Sequence, residues 1–210
     1  MTVKERYSAI LGHFRQLMPN PDTELHYGNP FQLLVAVMLS AQCTDKRVNM
    51  VTPALFAAYP TPQSMAAASV DDLLSLMGSV SYPNSKARHL LGMAQMLCSD
   101  FGDQVPDSME QLTRLPGVGR KTANVVLGAV FGKATIAVDT HVFRVANRTG
   151  LALGKTPLEV EQKLTSHIPA ADRYHAHHWL LLHGRYVCKA QKPDCLNCTI
   201  KQWCRSYGKV

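Results

Sequence analysis

Residues 115–139 read LPGVGRKTANVVLGAVFGKATIAVD. The segment opens on a tight apolar turn, Leu115-Pro116-Gly117-Val118-Gly119. Its two glycines are expected to permit positive φ and to let a ligand come close to the backbone. A helix is expected to follow, with Ala123, Val126, Leu127 and Val130 at helical spacing. Upstream, Asp107 and Glu110 are placed as the N-cap and third position of a short helix that carries Leu112 and Leu115. The predicted unit is helix, glycine turn, helix. Backbone N–H groups at such a turn and helix start can hold a phosphate. Lys121 lies just inside the second helix, and Asp139 follows it by 18 residues. In isolation the same pattern would describe a turn between two core helices with a solvated lysine, so the rest of the chain has to decide.

With 210 residues, the chain is long enough for one large domain or two smaller lobes, each with a core. A hydrophobic content of 46% and a charged content of 18% indicate a globular protein. The formal net charge of +7 favours an anionic partner, nucleic acid first among them. The opening MTVKERYSAILGHF lacks the apolar run of a signal peptide, and no stretch is long and apolar enough to span a membrane. A cytoplasmic location is expected, with nucleoid association in a bacterium, and no membrane partner. In that compartment six cysteines point to metal rather than disulfides.

Working outward, every well-marked element is helical. Tyr7, Ile10, Leu11, Phe14, Leu17 and Met18 mark an amphipathic helix ending before Pro19, and Pro19–Asp22 reads as a linker. Asn29 caps a helix with Pro30 at its first position. That helix, FQLLVAVMLSAQ, is apolar nearly all round and is expected to be buried. It runs into the polar cluster Ser40–Asp45, which a rigid element could deliver to a ligand. Thr61-Pro62 and Ser69–Asp72 are helix starts, and Asn84–Ala87 opens a helix through Leu90, Leu91, Ala94, Leu97 and Phe101. Beyond Asp139, itself a candidate N-cap, helical spacing continues to Gly150. Thr156–Glu159 reads as a capping box, and a last long helix starts near Asp172 and runs through Trp179 to His183. Only Ala134–Val138 looks extended. The predicted class is all-α.

Cys188, Cys195, Cys198 and Cys204 form a C-x6-C-x2-C-x5-C array. Four thiolates so close together can close around one metal centre, and both iron–sulfur clusters and zinc accept such a set. The centre would staple a region with little core of its own. Lys189, Lys192, Lys201, Arg205 and Lys209 surround it, suited either to phosphates or to balancing thiolate charge. Cys43 and Cys98 lie in helical contexts and read as core or cleft thiols. The histidines at 175, 177, 178 and 183 invite a metal reading, but no acidic partner stands at ligand spacing, and hydrogen-bonding core groups are the preferred expectation.

Taken together, LPGVGRKTA (115–123), VDTHV (138–142), His177-His178-Trp179, LHGRY (182–186) and the four cysteines resemble the endonuclease III family of helix-hairpin-helix DNA glycosylases over nearly the whole chain. The resemblance implies a two-lobed all-α fold with a C-terminal iron–sulfur cluster loop. One lobe would be a helical barrel over residues 22–132. The other would join residues 1–21 to residues 133–210, with DNA taken between the two. It implies that Cys188, Cys195, Cys198 and Cys204 hold one 4Fe-4S cluster. The implied partner is double-stranded DNA with a damaged base or abasic site, bound by a monomer.

The implied activity is a bifunctional glycosylase/AP lyase that releases oxidised pyrimidines and cuts 3′ to abasic sites. Lys121 would be the nucleophile and Asp139 its catalytic companion. A base in a duplex is hidden in the stack, so it must be extruded. Leu115, Gly117, Val118 and Gly119 would form the backbone grip on DNA. Ser40, Gln42 and Thr44 would face the lesion, Gln42 filling the gap. Tyr82 falls where the family inserts a bulky Leu or Phe, within Ser81-Tyr82-Pro83-Asn84-Ser85-Lys86. A monofunctional adenine glycosylase normally lacks a lysine at position 121 and carries a further C-terminal domain, whereas this chain has Lys121 and only six residues after Cys204. A non-catalytic iron–sulfur sensor would not need the Lys121–Asp139 pair.

Overall fold

The structure, a computed structural model, describes residues 1–209. Its helices are α1 (Val3–Leu17), α2 (Pro30–Leu39), α3 (Asp45–Ala58), α4 (Pro62–Ala66), α5 (Val70–Met77), α6 (Pro83–Asp100), α7 (Met109–Leu112), α8 (Arg120–Phe131), α9 (Thr140–Thr149), α10 (Pro157–His167) and α11 (Arg173–Tyr186). Short 3₁₀ turns cover Ala170–Asp172 and Lys201–Trp203. No strand occurs among the described residues, and none of their helices is long and apolar enough to cross a membrane. The chain forms two compact units. One is Glu24–Phe131, and the other joins Met1–Thr23 to the chain from Gly132 onward.

The Glu24–Phe131 unit is built around α2. The Asn29 side chain accepts a 2.9 Å hydrogen bond from the Gln32 N–H, and Pro30 supplies a helical φ at the first position. Leu33, Leu34, Val35, Ala36 and Leu39 are then completely buried. Burying each of the larger ones contributes roughly 1.5–3 kcal/mol. Helices α3, α6 and α8 pack around α2, and α4 and α5 pack on α6. The caps at α4 and α5 are reciprocal: Thr61 pairs with Ser64, and Ser69 with Asp72. Helix α7 departs from expectation. Its cap is Ser108, not Asp107, because the extended backbone of Ser108 sets its hydroxyl on the Gln111 N–H.

In the other unit, α1 lays Tyr7, Ile10, Leu11 and Phe14 against Val142, Val145 and Ala146 of α9, Val160 and Leu164 of α10, and Trp179 and Leu180 of α11. The Trp179 indole is fully buried and donates to the Met18 carbonyl at 2.7 Å. Tyr174 donates its hydroxyl to the Asp22 carboxylate. Three local expectations are corrected. The box at α10 is incomplete, because the Glu159 carboxylate accepts from Lys155 N–H at 3.0 Å rather than from Thr156. Helix α11 continues past His183 to Tyr186. Its start is as expected, with Asp172 at the N-cap position and the Asp172 carboxylate taken by Arg15 at 2.7 Å. Residues 134–138 are irregular rather than a strand, and they are held instead by burial of Ile136, Ala137 and Val138.

Candidate nucleic-acid interface and cysteine centre

The turn at 115–119 is anchored from below and open above. Leu115 and Val118 are buried, and Val118 N–H donates to the Leu115 carbonyl at 3.0 Å. Gly117 has φ +77°, as the third residue of a type II turn with Pro116 before it requires. A Cβ on Gly117 would stand 2.7 Å from the His89 Cβ, and one on Gly92 would meet Pro116 at 3.3 Å, so the turn rides directly on α6. Gly119 differs from expectation. Its φ is not positive, and a Cβ there would meet nothing within 4 Å. It leads into α8 and, being glycine, offers no side chain to cap it. An exposed bare backbone at a helix start is the arrangement an approaching phosphate needs.

Gln42, Tyr82 and Gly117 line one groove of about 290 Å³ with Met38, Ala41, Ser85, Lys86 and His89. Gln42 (φ +53°) and Tyr82 (φ +57°, ψ +49°) both hold the left-handed conformation that side chains of this size rarely adopt. Tyr82 is 65% exposed. The other two members of the predicted set are placed differently. Ser40 donates its hydroxyl to the Val37 carbonyl at 2.8 Å, and Thr44 caps α3 through the Arg47 N–H at 3.3 Å. Neither is among the groove-lining residues. Lys86, which the sequence marks only as part of a helix start, lines the groove at 8% exposure. Its partners lie 47 and 45 residues away, beyond any local pattern.

Lys121 is the second residue of α8 and is half-buried, next to the fully buried Ala123. Asp139 belongs to the other unit. There it caps α9, Oδ1 accepting from the Val142 N–H at 2.8 Å, and stays partly open to solvent.

Cys188, Cys195, Cys198 and Cys204 line a single pocket with Arg148, Thr149 and His183. Burial, reinforced by the charge of the other thiols, pushes the Cys198 and Cys204 thiols up. Such a set of crowded sulfurs is stabilised by a cation. Two neighbours were not foreseen. Arg148 donates to Cys188 Sγ at 3.6 Å and to the Lys189 and Ala190 carbonyls at 2.6 and 2.9 Å. His183 Nε2 lies 3.6 Å from Cys198 Sγ, and burial, then His13, lower its pKa to about 4, so the ring is neutral at pH 7. Lys201 is drawn inward to the Leu196 carbonyl at 2.5 Å, while Lys189 and Lys192 remain exposed. His177 and His178 are core groups. His177 Nδ1–H donates to the Ala137 carbonyl at 2.7 Å, and His178 Nδ1–H to Tyr174 at 3.0 Å.

An all-helical scaffold bearing a glycine turn with an exposed backbone, and a pocket of four thiols, has the outline of a helix-hairpin-helix DNA repair enzyme. Residues 35–170 match the family model described as "HhH-GPD superfamily base excision DNA repair protein". Endonuclease III of Rickettsia conorii is 53% identical over 200 residues, covering 95% of each chain. Endonuclease III of Escherichia coli K12 is 45% identical over 207 residues, covering 99% of this chain and 98% of its own. Among solved structures, a trapped endonuclease III–DNA covalent intermediate superposes with a TM-score of 0.95 at 41% identity, covering 100% of this chain and 99% of the other. The chain belongs to the HhH-GPD superfamily of base excision DNA repair proteins. Its enzyme class is that of endonuclease III, DNA glycosylase/AP lyase.

Proposed function

We propose that this protein, as a monomer, removes oxidised pyrimidines from double-stranded DNA and then cuts the strand 3′ to the resulting abasic site. The observation that carries the reading is the place of Lys121 in the first turn of α8, directly behind the Gly117–Gly119 turn. A phosphate gripped by that turn brings the adjoining sugar to the lysine.

In this reading Leu115 and Val118 hold the turn from within, while the Gly117 and Gly119 backbone meets the phosphates without reading sequence. Gln42 and Tyr82 occupy the space that a flipped nucleotide leaves. Ser40 and Thr44 shape the Gln42 turn. A neutral Lys121 amine attacks C1′, and the N-glycosidic bond breaks with its electron pair leaving on the base. Ring opening gives a Schiff base between Nζ and C1′. The imine acidifies the 2′ position, loss of a 2′ proton expels the 3′ phosphate, and water then releases the lysine. Asp139 stabilises positive charge developing at C1′ and relays protons. The similarity to an endonuclease III trapped covalently on DNA supports this route.

We assign one 4Fe-4S cluster to Cys188, Cys195, Cys198 and Cys204. All four thiols border one space. Four thiolates around one space are the ligand set that such a cluster takes. When bound, the cluster would crosslink a segment that is otherwise mostly exposed.

The test is incubation with a duplex containing one thymine glycol. Release of the modified base followed by scission on its 3′ side is expected. Intact duplex, together with intact abasic-site DNA, would overturn the reading.

A further inference from the structure

We propose that Lys86 is a positioning residue that clamps the Gln42 turn to the Tyr82 turn, so that both side chains enter the duplex as one rigid unit. The inference rests on the reading of Gln42 and Tyr82 as DNA-inserting residues.

The Lys86 ammonium donates to the Leu39 carbonyl at 2.7 Å and to the Ala41 carbonyl at 2.8 Å. Leu39 ends α2, and Ala41 immediately precedes Gln42. The backbone N–H of the same residue donates to the Tyr82 carbonyl at 3.1 Å, the first helical bond of α6. One residue therefore fastens both turns.

What it fastens is strained. Only four non-glycine residues among those described have positive φ, and two of them are Gln42 and Tyr82. Such backbones persist where surrounding contacts over-determine them, and they gather at functional sites. The last carbonyls of a helix lack intrahelical donors, and a cation there also answers the helix dipole. Water could satisfy those carbonyls at an exposed helix end. Here a nearly buried lysine does so, although burial disfavours its charge and lowers its pKa. An expensive solution of this kind fixes geometry that solvent would leave loose. Lys86 also lines the groove shared by Gln42, Tyr82 and Gly117.

The experiment compares wild type, Lys86→Met and Lys86→Gln on two substrates, a duplex with one thymine glycol and a single-stranded oligonucleotide with one abasic site. Only the duplex requires extrusion of a stacked base. Single-turnover rates are normalised to the folded fraction found by thermal melting. Displacement of a positioning group by about 1 Å can cost about a hundredfold in rate. Lys86→Met is expected to lose at least tenfold more rate on the duplex than on the single strand. Lys86→Gln, which keeps a shorter donor, should fall between it and wild type. Equal losses on the two substrates, or no loss on either, would overturn the clamp. A wild-type protein that processes neither substrate would instead remove the functional reading on which the clamp rests.

Discussion

Asp139 Oδ1 accepts a 2.8 Å hydrogen bond from the Val142 N–H and so closes the first turn of α9. The carboxylate proposed for catalysis is thus also a helix cap. Asparagine preserves the cap without the charge, whereas alanine removes both. Asp139→Ala should lose about 1 kcal/mol of stability, with Asp139→Asn close to wild type. Turnover should fall by at least about a hundredfold in both. Denaturant titration beside a glycosylase assay separates the two roles, and an active Asp139→Asn would show that the charge is dispensable.

Lys121→Gln should abolish base release and strand cutting, lowering both by at least about a thousandfold. Its affinity for lesion-bearing duplex should stay near wild type, because the turn at 115–119 is untouched. Parallel loss of binding would mean that Lys121 grips DNA rather than attacking it.

The two glycines of the turn should behave differently. Gly117→Ala puts a Cβ at positive φ and 2.7 Å from the His89 Cβ, and should lose more than about 1 kcal/mol. Gly119→Ala meets nothing within 4 Å and should melt within about 0.5 kcal/mol of wild type. Weaker duplex binding by that stable variant would place the DNA at Gly119. Unaltered binding would move the contact elsewhere.

Much of this was legible locally. Caps at Asn29, Thr61, Ser69 and Asp139 follow from short polar side chains preceding apolar periodicity, and the all-round apolar α2 declared its own burial. The misses share a cause. Asp107 and Ser108 are both competent caps, and only the backbone angle chooses between them. Gly119 looked like Gly117, but its value is open space rather than positive φ. Residues 134–138 have strand-like composition but no partner strand. The contacts of Lys86 could not be read at all, since its carbonyl partners lie across the unit. The same holds for His183 beside Cys198.

The cysteine centre should be acid-sensitive. Burial raises the Cys198 and Cys204 thiols, so they hold protons at neutral pH and metal must displace them. Reconstitution of apoprotein with iron and sulfide should therefore tighten as pH rises from about 6 to about 9, followed by visible absorbance. Cys195→Ser should yield poorly folded protein. A colourless, zinc-loaded wild type would contradict the cluster assignment.

DNA affinity should fall steeply with added salt, as phosphate contacts with a chain of net charge +7 release counterions. A nearly flat dependence would count against a phosphate-gripping turn.

The most direct test of the central claim is borohydride trapping on duplex carrying one thymine glycol. Reduction of the Schiff base should leave protein and DNA covalently joined at Lys121, with no adduct from Lys121→Gln. Base release without any adduct, or an adduct that survives the loss of Lys121, would contradict the lysine mechanism.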